Sequence, residues 1–172
     1  MYSGKALLLG RVAQILAMAA TRGTTELRRA GVEHRVLSYA YRPGGSAGDD
    51  AARVLEVEPE RMLKSLVARA GDGLVFALVP VSGELSLKKL AAAAGSKSAV
   101  MAPPADAERA TGYQVGGISP LGSRRRLPVF VEQTAIAYPR VYVNGGGRGV
   151  IVELAAADLV VLTAATLADL TA

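Results

Sequence analysis

Residues 61–81 read RMLKSLVARAGDGLVFALVPV, and this segment gives the strongest indication of the fold. Two runs of strand-forming residues, 61–70 and 74–81, flank Gly71-Asp72-Gly73, which is typical of a tight β-hairpin turn. The second run is almost wholly apolar, so we expect it to be a central strand that is buried on both faces. The sequence therefore predicts a sheet built around this hairpin.

Helix and strand signals interleave on both sides of the hairpin. Before it, the sequence predicts a helix capped by Thr24 or Thr25 and ended by Gly31, a strand over 33–40, a loop over 42–48, and a helix that begins at Asp49 with Val54 and Leu55 on its apolar side. After it, helices are predicted from Ser86 and from Pro104, strands over 113–118, 127–131, 141–143 and 149–154, and a final helix over 155–163. This order lacks the strict repeat of a doubly wound fold. It favours an α+β domain in which helices pack around a mixed β-sheet.

Composition excludes several classes of site. The 172 residues suit one domain, and 51% hydrophobic against 20% charged residues is enough for a packed core. The absence of Cys excludes disulfides, a Cys nucleophile and thiolate metal sites. Because His34 is the single His, a conventional zinc site is excluded too. We expect neither a metal nor a cofactor.

The charge balance is basic, with 20 Lys and Arg against 15 Asp and Glu and a net charge of +5. The densest basic run is Arg124, Arg125 and Arg126, which follows a stretch rich in Gly and Pro. Two interpretations stay open from charge alone: an exposed loop tip surrounded by water, or a surface that binds nucleic acid.

The amino-terminal residues 6–20, ALLLGRVAQILAMAA, are apolar apart from Arg11 and Gln14. They superficially match a signal peptide, but they are too short to span a bilayer and Arg11 interrupts them. Leu8, Val12 and Ile15 can share one face of a helix. We therefore predict an accessory helix or upstream extension over residues 1–22, no membrane span, and a functional domain over residues 23–172.

Lys64 is the most informative single residue. On a strand, period two places it on the same face as Met62 and Leu66, so its ammonium group emerges among apolar neighbours. A desolvated ammonium group needs a polar or anionic partner. The alternative is a lysine near a strand end whose stem covers apolar surface while its ammonium group reaches water.

Two glycine-rich stretches could approach a ligand closely. In residues 111–122, TGYQVGGISPLG, Gly116 and Gly117 follow a predicted strand, where their N–H groups could converge on an oxyanion. The stretch is not a nucleophile elbow, since Pro120 follows Ser119. In residues 144–149, NGGGRG, three glycines could line a phosphate or acyl group with Arg148 as a charge partner. A β-bulge explains the first glycine-rich stretch equally well, and a loose hairpin turn explains the second.

These residues together resemble the YbaK/EbsC family. The positions that carry the resemblance are Glu58-Pro59-Glu60-Arg61, Lys64, Pro80–Leu85, ERATGY at 108–113, GGISPLG at 116–122, Arg125-Arg126-Leu127-Pro128 and Glu153-Leu154. The resemblance covers the chain from about Thr24 onward. It implies a barrel-like mixed sheet surrounded by helices, as in the editing domain of prolyl-tRNA synthetase, and hydrolysis of mischarged aminoacyl-tRNA in trans.

The resemblance also assigns roles. It implies that Lys64 holds the 3′-terminal adenosine of the substrate or its phosphate, and that Gly116 and Gly117 face the aminoacyl ester. The substrate-binding positions that it implies are Tyr39, Ser65, Ser119, Asn144, Gly145 and Gly146. This sequence departs from the subgroup at Asn144, where Ser is usual, at Ala47, where an aromatic residue is usual, and at Ile151, where an acidic residue is common. Ser65 replaces a Thr.

The resulting hypothesis is a cytoplasmic deacylase for Cys-tRNA(Pro), in which the thiol of the substrate attacks its own ester. Arg124, Arg125 and Arg126 would then contact tRNA phosphates, and prolyl-tRNA synthetase is a candidate partner. Two alternatives are a deacylase for another amino acid such as alanine, with water as nucleophile, and a tRNA- or nucleotide-binding module without catalytic activity.

Overall fold

The computed structural model describes residues 20–172. The predicted amino-terminal helix or extension over residues 1–22 lies outside these residues, apart from residues 20–22, and the domain boundary after residue 22 stays a prediction. No helix in the described part of the chain is long and apolar enough to cross a membrane. The same residues contain no cluster of three or more His, Asp or Glu side chains that could hold a metal ion.

The predicted hairpin forms as β2 (Leu63–Ala70) and β3 (Gly73–Pro80), which pair antiparallel. The larger sheet adds β4 (Ala99–Met101), β5 (Val129–Glu132) and β8 (Thr166–Ala168), in the order β4-β2-β3-β5-β8. The β3–β5 and β5–β8 pairs are parallel, so the sheet is mixed. The prediction that the apolar strand is central is confirmed.

The smaller sheet is antiparallel, in the order β1-β7-β6, and consists of β1 (His34–Ser38), β6 (Arg140–Asn144) and β7 (Val150–Ala155). A parallel bridge between Met62 and Tyr142 connects it to the larger sheet. The α+β class with mixed strands and surrounding helices is confirmed, although the strands form two sheets and not one closed barrel.

The described residues also form five α-helices and one 3-10 helix. They are α1 (Arg22–Arg29), α2 (Ala47–Val54), α3 (Leu87–Ala93), α4 (Pro104–Thr111), the 3-10 helix (Gln133–Ala137) and α5 (Ala156–Thr163). The predicted Ser86 cap of α3 and the Pro104 start of α4 are confirmed, because Ser86 Oγ accepts from Lys89 N and Pro104 occupies the first helical turn.

The larger sheet separates two apolar clusters. Phe76 and Leu78 of β3 point into a core shared with the smaller sheet, α1, α4 and α5. Val75, Ala77 and Val79 point to the opposite face, where Leu90 of α3 covers them. This alternation follows from the period of two along a strand and explains why nearly every residue of β3 is buried.

Four local predictions were wrong. Residues 113–118 form an irregular loop and not a strand, and β8 follows the helix that was predicted to end the fold. Thr21, and not Thr24 or Thr25, caps α1, because Thr21 and Thr24 bond each other's backbone N–H in a capping box. Val54 is 49% exposed and does not belong to the apolar side of α2, whereas the predicted Leu55 packs against the same apolar cluster as Ala51 and Ala52.

Candidate active site

A cavity of about 340 Å³ lies beside β2. Its walls come from the start of α2, from β2, from α4 and from the loop after α4, with one residue each from β6 and β7. Most lining side chains are apolar, and they include Met62, Leu63, Leu66, Val67, Met101, Ile118 and Ile151. Among the lining residues within 20–172, Lys64 is the only one with a cationic side chain, and none is acidic.

The cavity exists because strand pairing along one edge of β2 is interrupted. Val81 N donates to Met62 O, so the backbone groups of Met62 and of every second residue after it point toward β3. The backbone N–H and C=O of Ser65 therefore point to the opposite edge of β2. On that edge β2 meets β6 only at the Met62–Tyr142 bridge and meets β4 only from Ala68 onward. Among residues 20–172 no strand pairs with β2 between these two points, so the Ser65 backbone faces the cavity.

Lys64 reaches from β2 to the turn after β3. Its Nζ donates to Gly83 O at 2.8 Å and lies 3.7 Å from Glu84 Oε1, and its side chain is 19% exposed. The stem packs beside Gly48, where an added Cβ would lie 3.4 Å from Lys64 Cγ and 2.7 Å from Val81 Cγ1. A residue with a side chain at position 48 would therefore collide with Val81 beside the lysine.

The carboxyl-terminal residues hold the turn that receives Lys64. Ser86 N donates to Leu170 O, and Ala172 N donates to Glu84 O. The buried Glu132 carboxylate fixes this segment by accepting from Leu170 N at 2.7 Å and Thr171 N at 3.0 Å. Burial raises the pKa of Glu132, but the backbone donors of Leu170, Thr134 and Thr171 outweigh burial and lower the pKa below its ordinary value.

Gly116 borders the cavity on the loop after α4. Its φ of +90° favours glycine, and an added Cβ would lie 2.7 Å from Tyr41 Oη. Gly116 N–H has no acceptor among the described residues, whereas Gly117 N–H donates to Gln114 O at 2.8 Å. The prediction that both N–H groups converge on an oxyanion is therefore corrected: only Gly116 N–H is left as a donor.

Asn144 joins the two glycine-rich stretches. Its Nδ2 donates to Gly116 O at 3.3 Å and Gly147 O at 3.0 Å, and its Oδ1 accepts from Gly146 N at 2.7 Å and Gly147 N at 3.1 Å. All four contacts go to backbone atoms, so the amide group is fully used inside the protein. Asn144 lines the cavity and also fixes the position of Gly116.

Tyr39 and Ser65 are predicted site residues that carry hydroxyl groups and line the cavity. Tyr39 Oη donates to Ala47 O at 3.1 Å, and burial, followed by the charges of Asp50 and Tyr41, raises the pKa of Tyr39. Ser65 Oγ is buried without a hydrogen-bond partner among the described residues. A buried hydroxyl without a partner is unusual and indicates a group that a ligand can satisfy.

The structure does not bring all predicted site residues to the cavity. Lys64, Gly116, Tyr39, Ser65 and Asn144 line it, as do the two departures Ala47 and Ile151. The predicted residues that do not line it are Gly117, Ser119, Gly145, Gly146, Arg124, Arg125 and Arg126.

The predicted site residues that do not line the cavity make other contacts in the fold. Ser119 is fully buried and its Oγ accepts from Leu121 N, which makes it a turn residue. Gly145 lies against α1, where Thr21 Oγ1 donates to Gly145 O. Arg124 is exposed, and Arg125 and Arg126 line a separate groove of about 150 Å³ with Glu26 and Leu162.

The sequence did not identify the partners of Lys64, or Tyr41 beside Gly116. Gly83 and Glu84 belong to the PVSGEL motif, whose position directly after the hairpin strand was an available signal. No pattern in the sequence indicates the contact between Tyr41 and Gly116, because it joins segments that are far apart in the chain.

Comparison with known proteins gives one family. A family model for the aminoacyl-tRNA editing domain matches residues 42–162. The Enterococcus faecalis protein named "Putative Cys-tRNA(Pro)/Cys-tRNA(Cys) deacylase EbsC" is 33% identical over 161 residues, which cover 91% of this chain and 98% of EbsC. The proline–tRNA ligase of Thermosipho africanus is 32% identical over 112 residues, which cover 65% of this chain and 20% of the ligase.

A solved structure shows the same fold. The protein described as "a putative trans-editing enzyme for prolyl tRNA synthetase" superimposes with a TM-score of 0.79 at 25% identity, covering 90% of this chain and 99% of that one. A second structure, of the hypothetical protein APE2540, gives a TM-score of 0.77 at 21% identity and agrees in fold.

Proposed function

Because this chain belongs to the aminoacyl-tRNA editing domain family, we propose that it is an aminoacyl-tRNA deacylase that acts in trans on Cys-tRNA(Pro). The names of EbsC and of the superimposed trans-editing protein support this reaction class and substrate. As an enzyme of translation, it would work in the cytoplasm.

One observation carries the proposal: Lys64 and Gly116 line the same apolar cavity. Lys64 Nζ donates to Gly83 O and lies 3.7 Å from the exposed Glu84 carboxylate, and a remaining N–H of its ammonium group suits a phosphate or the polar edge of a ribose. A backbone N–H without an internal acceptor suits the oxygen of an ester carbonyl. We assign the terminal adenosine or its phosphate to Lys64 and the developing oxyanion to Gly116 N–H.

The chemistry needs no nucleophile from the protein when the substrate is cysteinyl. The thiol sulfur of the substrate attacks its own ester carbonyl, so a C–S bond forms and the C–O bond to the ribose breaks. The thiol proton passes to the departing ribose oxygen, and the products are a thiolactone and tRNA. Holding the thiol near the carbonyl gives this intramolecular attack a high effective concentration, which is what an apolar cavity of this kind can do.

A second substrate, alanyl-tRNA(Pro), is favoured by two lining residues. Ala47 and Ile151 give the cavity two apolar positions where the related subgroup has an aromatic and an acidic residue. An apolar wall accepts a methyl group as readily as a thiol. With alanine, a bound water must attack the carbonyl.

The test is paired deacylation of Cys-tRNA(Pro) and Ala-tRNA(Pro) by the purified protein. We expect deacylation of Cys-tRNA(Pro), with the thiolactone trapped as the first product. Release of alanine alone would replace the thiol mechanism by water attack. Release of neither amino acid would contradict the enzyme proposal and favour a tRNA-binding module without catalytic activity.

Lys64 provides the sharpest variant. Lys64→Met keeps the apolar stem but removes the cation, so we expect kcat/KM to fall by about a hundredfold or more with the melting temperature little changed. Lys97→Ala removes an exposed lysine away from the cavity lining and serves as the matched control. A Lys64→Met enzyme that deacylates at the wild-type rate would remove Lys64 from the mechanism.

We also propose prolyl-tRNA synthetase as a partner, since this chain resembles a segment of bacterial proline–tRNA ligases. Addition of the synthetase should raise the deacylation rate at limiting tRNA if the two proteins pass the substrate between them. An unchanged rate, with no co-sedimentation of the two proteins, would contradict this partner.

A further inference from the structure

Tyr41 and Arg148 form a stacked pair beside the cavity. The Arg148 guanidinium carbon lies 5.0 Å from the centroid of the Tyr41 ring. The same ring packs against Gly116, which lines the cavity. The pair therefore extends the site outward from the position assigned to the ester.

Arg148 is only partly used by the protein. Its Nε donates to Val115 O at 3.0 Å, and Val115 is a lining residue that is 43% exposed. The arginine is otherwise exposed, and no carboxylate in the described part of the chain forms an ion pair with it. With one face of the guanidinium against Tyr41, the other face and the terminal N–H donors remain for a ligand.

Two other arginine–tyrosine pairs have a structural role and serve for comparison. Arg61 lies over Tyr142, pairs with Glu58 and donates to Arg140 O, and its side chain is 22% exposed. Arg22 lies over the buried Tyr113 and donates to Thr111 O. The pair at Tyr41 differs from the Arg61 pair because its cation is exposed and lacks a carboxylate partner among residues 20–172. It differs from the Arg22 pair because its ring is only half-buried and packs against Gly116 at the cavity, whereas Tyr113 is buried away from the cavity lining.

We propose that Tyr41 and Arg148 bind the unpaired nucleotides that precede the terminal adenosine of the tRNA 3′ end. Guanidinium and aromatic planes stack on exposed bases, and the free N–H donors of the guanidinium suit the connecting phosphate. The adjacent Arg42 is also exposed and forms no ion pair within the described residues, so it adds a second positive charge on this path. This proposal rests on the proposed function, which places the terminal adenosine in the cavity.

Comparison of two substrates tests it. Intact aminoacyl-tRNA carries the preceding nucleotides, whereas 2′(3′)-O-aminoacyl-adenosine does not. Arg148→Ala should raise KM for aminoacyl-tRNA about tenfold and leave kcat/KM for aminoacyl-adenosine within about twofold of wild type. Arg148→Lys should recover only part of the affinity, because a lysine keeps the charge but lacks the stacking plane.

Salt dependence gives a second readout. Loss of one phosphate contact to a single strand should lower the slope of log KM against log salt by about 0.7 for aminoacyl-tRNA. Arg29→Ala removes an exposed arginine that does not line the cavity and should leave the kinetics on both substrates unchanged.

The outcomes separate this inference from the proposed function. Equal loss of activity on both substrates in Arg148→Ala would show that the arginine only braces the Val115–Gly116 loop, and no loss on either would remove it from recognition. If the wild-type protein deacylates neither substrate, the proposed function fails. Titration with a fluorescent single-stranded ACCA oligonucleotide then decides: weaker binding by Arg148→Ala supports the nucleotide site, and equal or absent binding contradicts it.

Discussion

At the scale of single residues, the site depends on what is left without an internal partner. Gly117 N–H is occupied by Gln114 O, whereas Gly116 N–H and Ser65 Oγ have no partner among the described residues. A buried hydroxyl without a partner, such as Ser65 Oγ, costs stability, so a protein keeps few of them. Gly116 is half-buried, and both Gly116 and Ser65 line the cavity, which is why we assign the two groups to substrate.

Ser65 allows a direct test of this argument. Because Ser65 Oγ has no hydrogen bond to lose, Ser65→Ala should change the free energy of unfolding by less than about 0.5 kcal/mol. If the hydroxyl binds substrate, kcat/KM for deacylation should fall by about tenfold. Ser65→Thr keeps the hydroxyl and is the matched control, measured by the same deacylation assay and thermal melts. Wild-type kinetics in Ser65→Ala would exclude a substrate contact.

At the scale of elements, the cavity is made by edges and loops and not by the middle of a sheet. The outer edge of β2 opens between its contacts with β6 and β4, and the loop after α4 covers this opening at Gly116. Asn144, at the end of β6, joins that loop to the Gly146–Gly147 turn through four hydrogen bonds. The Asn144 amide therefore helps to set the position of Gly116 relative to β2, together with Arg148 and Glu108, which bond the backbone of the adjacent Val115.

We expect Asn144→Asp to loosen this connection. Aspartate accepts from Gly146 N and Gly147 N as before, but its second oxygen faces the carbonyls of Gly116 and Gly147 and cannot donate. We predict a loss of about 2 kcal/mol in stability, faster hydrogen exchange in both loops and a fall of at least tenfold in kcat. Asn144→Ser, the residue usual in the related subgroup, should retain more activity than Asn144→Asp. Equal activity of wild type and Asn144→Asp would contradict this role.

At the scale of the whole molecule, two buried carboxylates fasten distant parts of the chain. Glu153 accepts from Arg35 at 2.6 Å and Arg140 at 2.9 Å across the smaller sheet. Glu132 holds the Leu170–Thr171 segment, which in turn pairs with the Gly83–Glu84 turn that receives Lys64. The far end of the chain thus helps to set the position of the candidate catalytic lysine.

Glu132 predicts a pH dependence of stability. Its pKa in the folded protein is below the ordinary 4.5, so its stabilising effect is present above pH 4.5 and is lost as the pH falls through the lower folded value. Glu132→Gln should lower stability by about 2 kcal/mol at neutral pH, or about 4–8 °C in melting temperature, and flatten the acid loss of stability. Melts from pH 7 to pH 3 measure both effects, and an unchanged acid slope would contradict them.

Local signals in the sequence determined the hairpin over 63–80, the central position of β3, the Ser86 cap and the start of α4 at Pro104. Each of these follows from a residue and its immediate neighbours, such as an apolar run, a turn dipeptide or a capping hydroxyl. The same local pattern singled out Lys64, because period two along the strand set its apolar neighbours.

Long-range packing, and no local pattern, sets where the cavity opens and which hydrogen-bond donors face it without an internal partner. The gap along β2 arises because β6 and β4 meet the strand at different points, and no local pattern in β2 records that. Residues 113–118 have the composition of a strand, but no strand among the described residues pairs with them. They form a turn instead, in which Gly117 N–H donates to Gln114 O. Contacts such as Tyr41 with Arg148 join segments that are close only after folding.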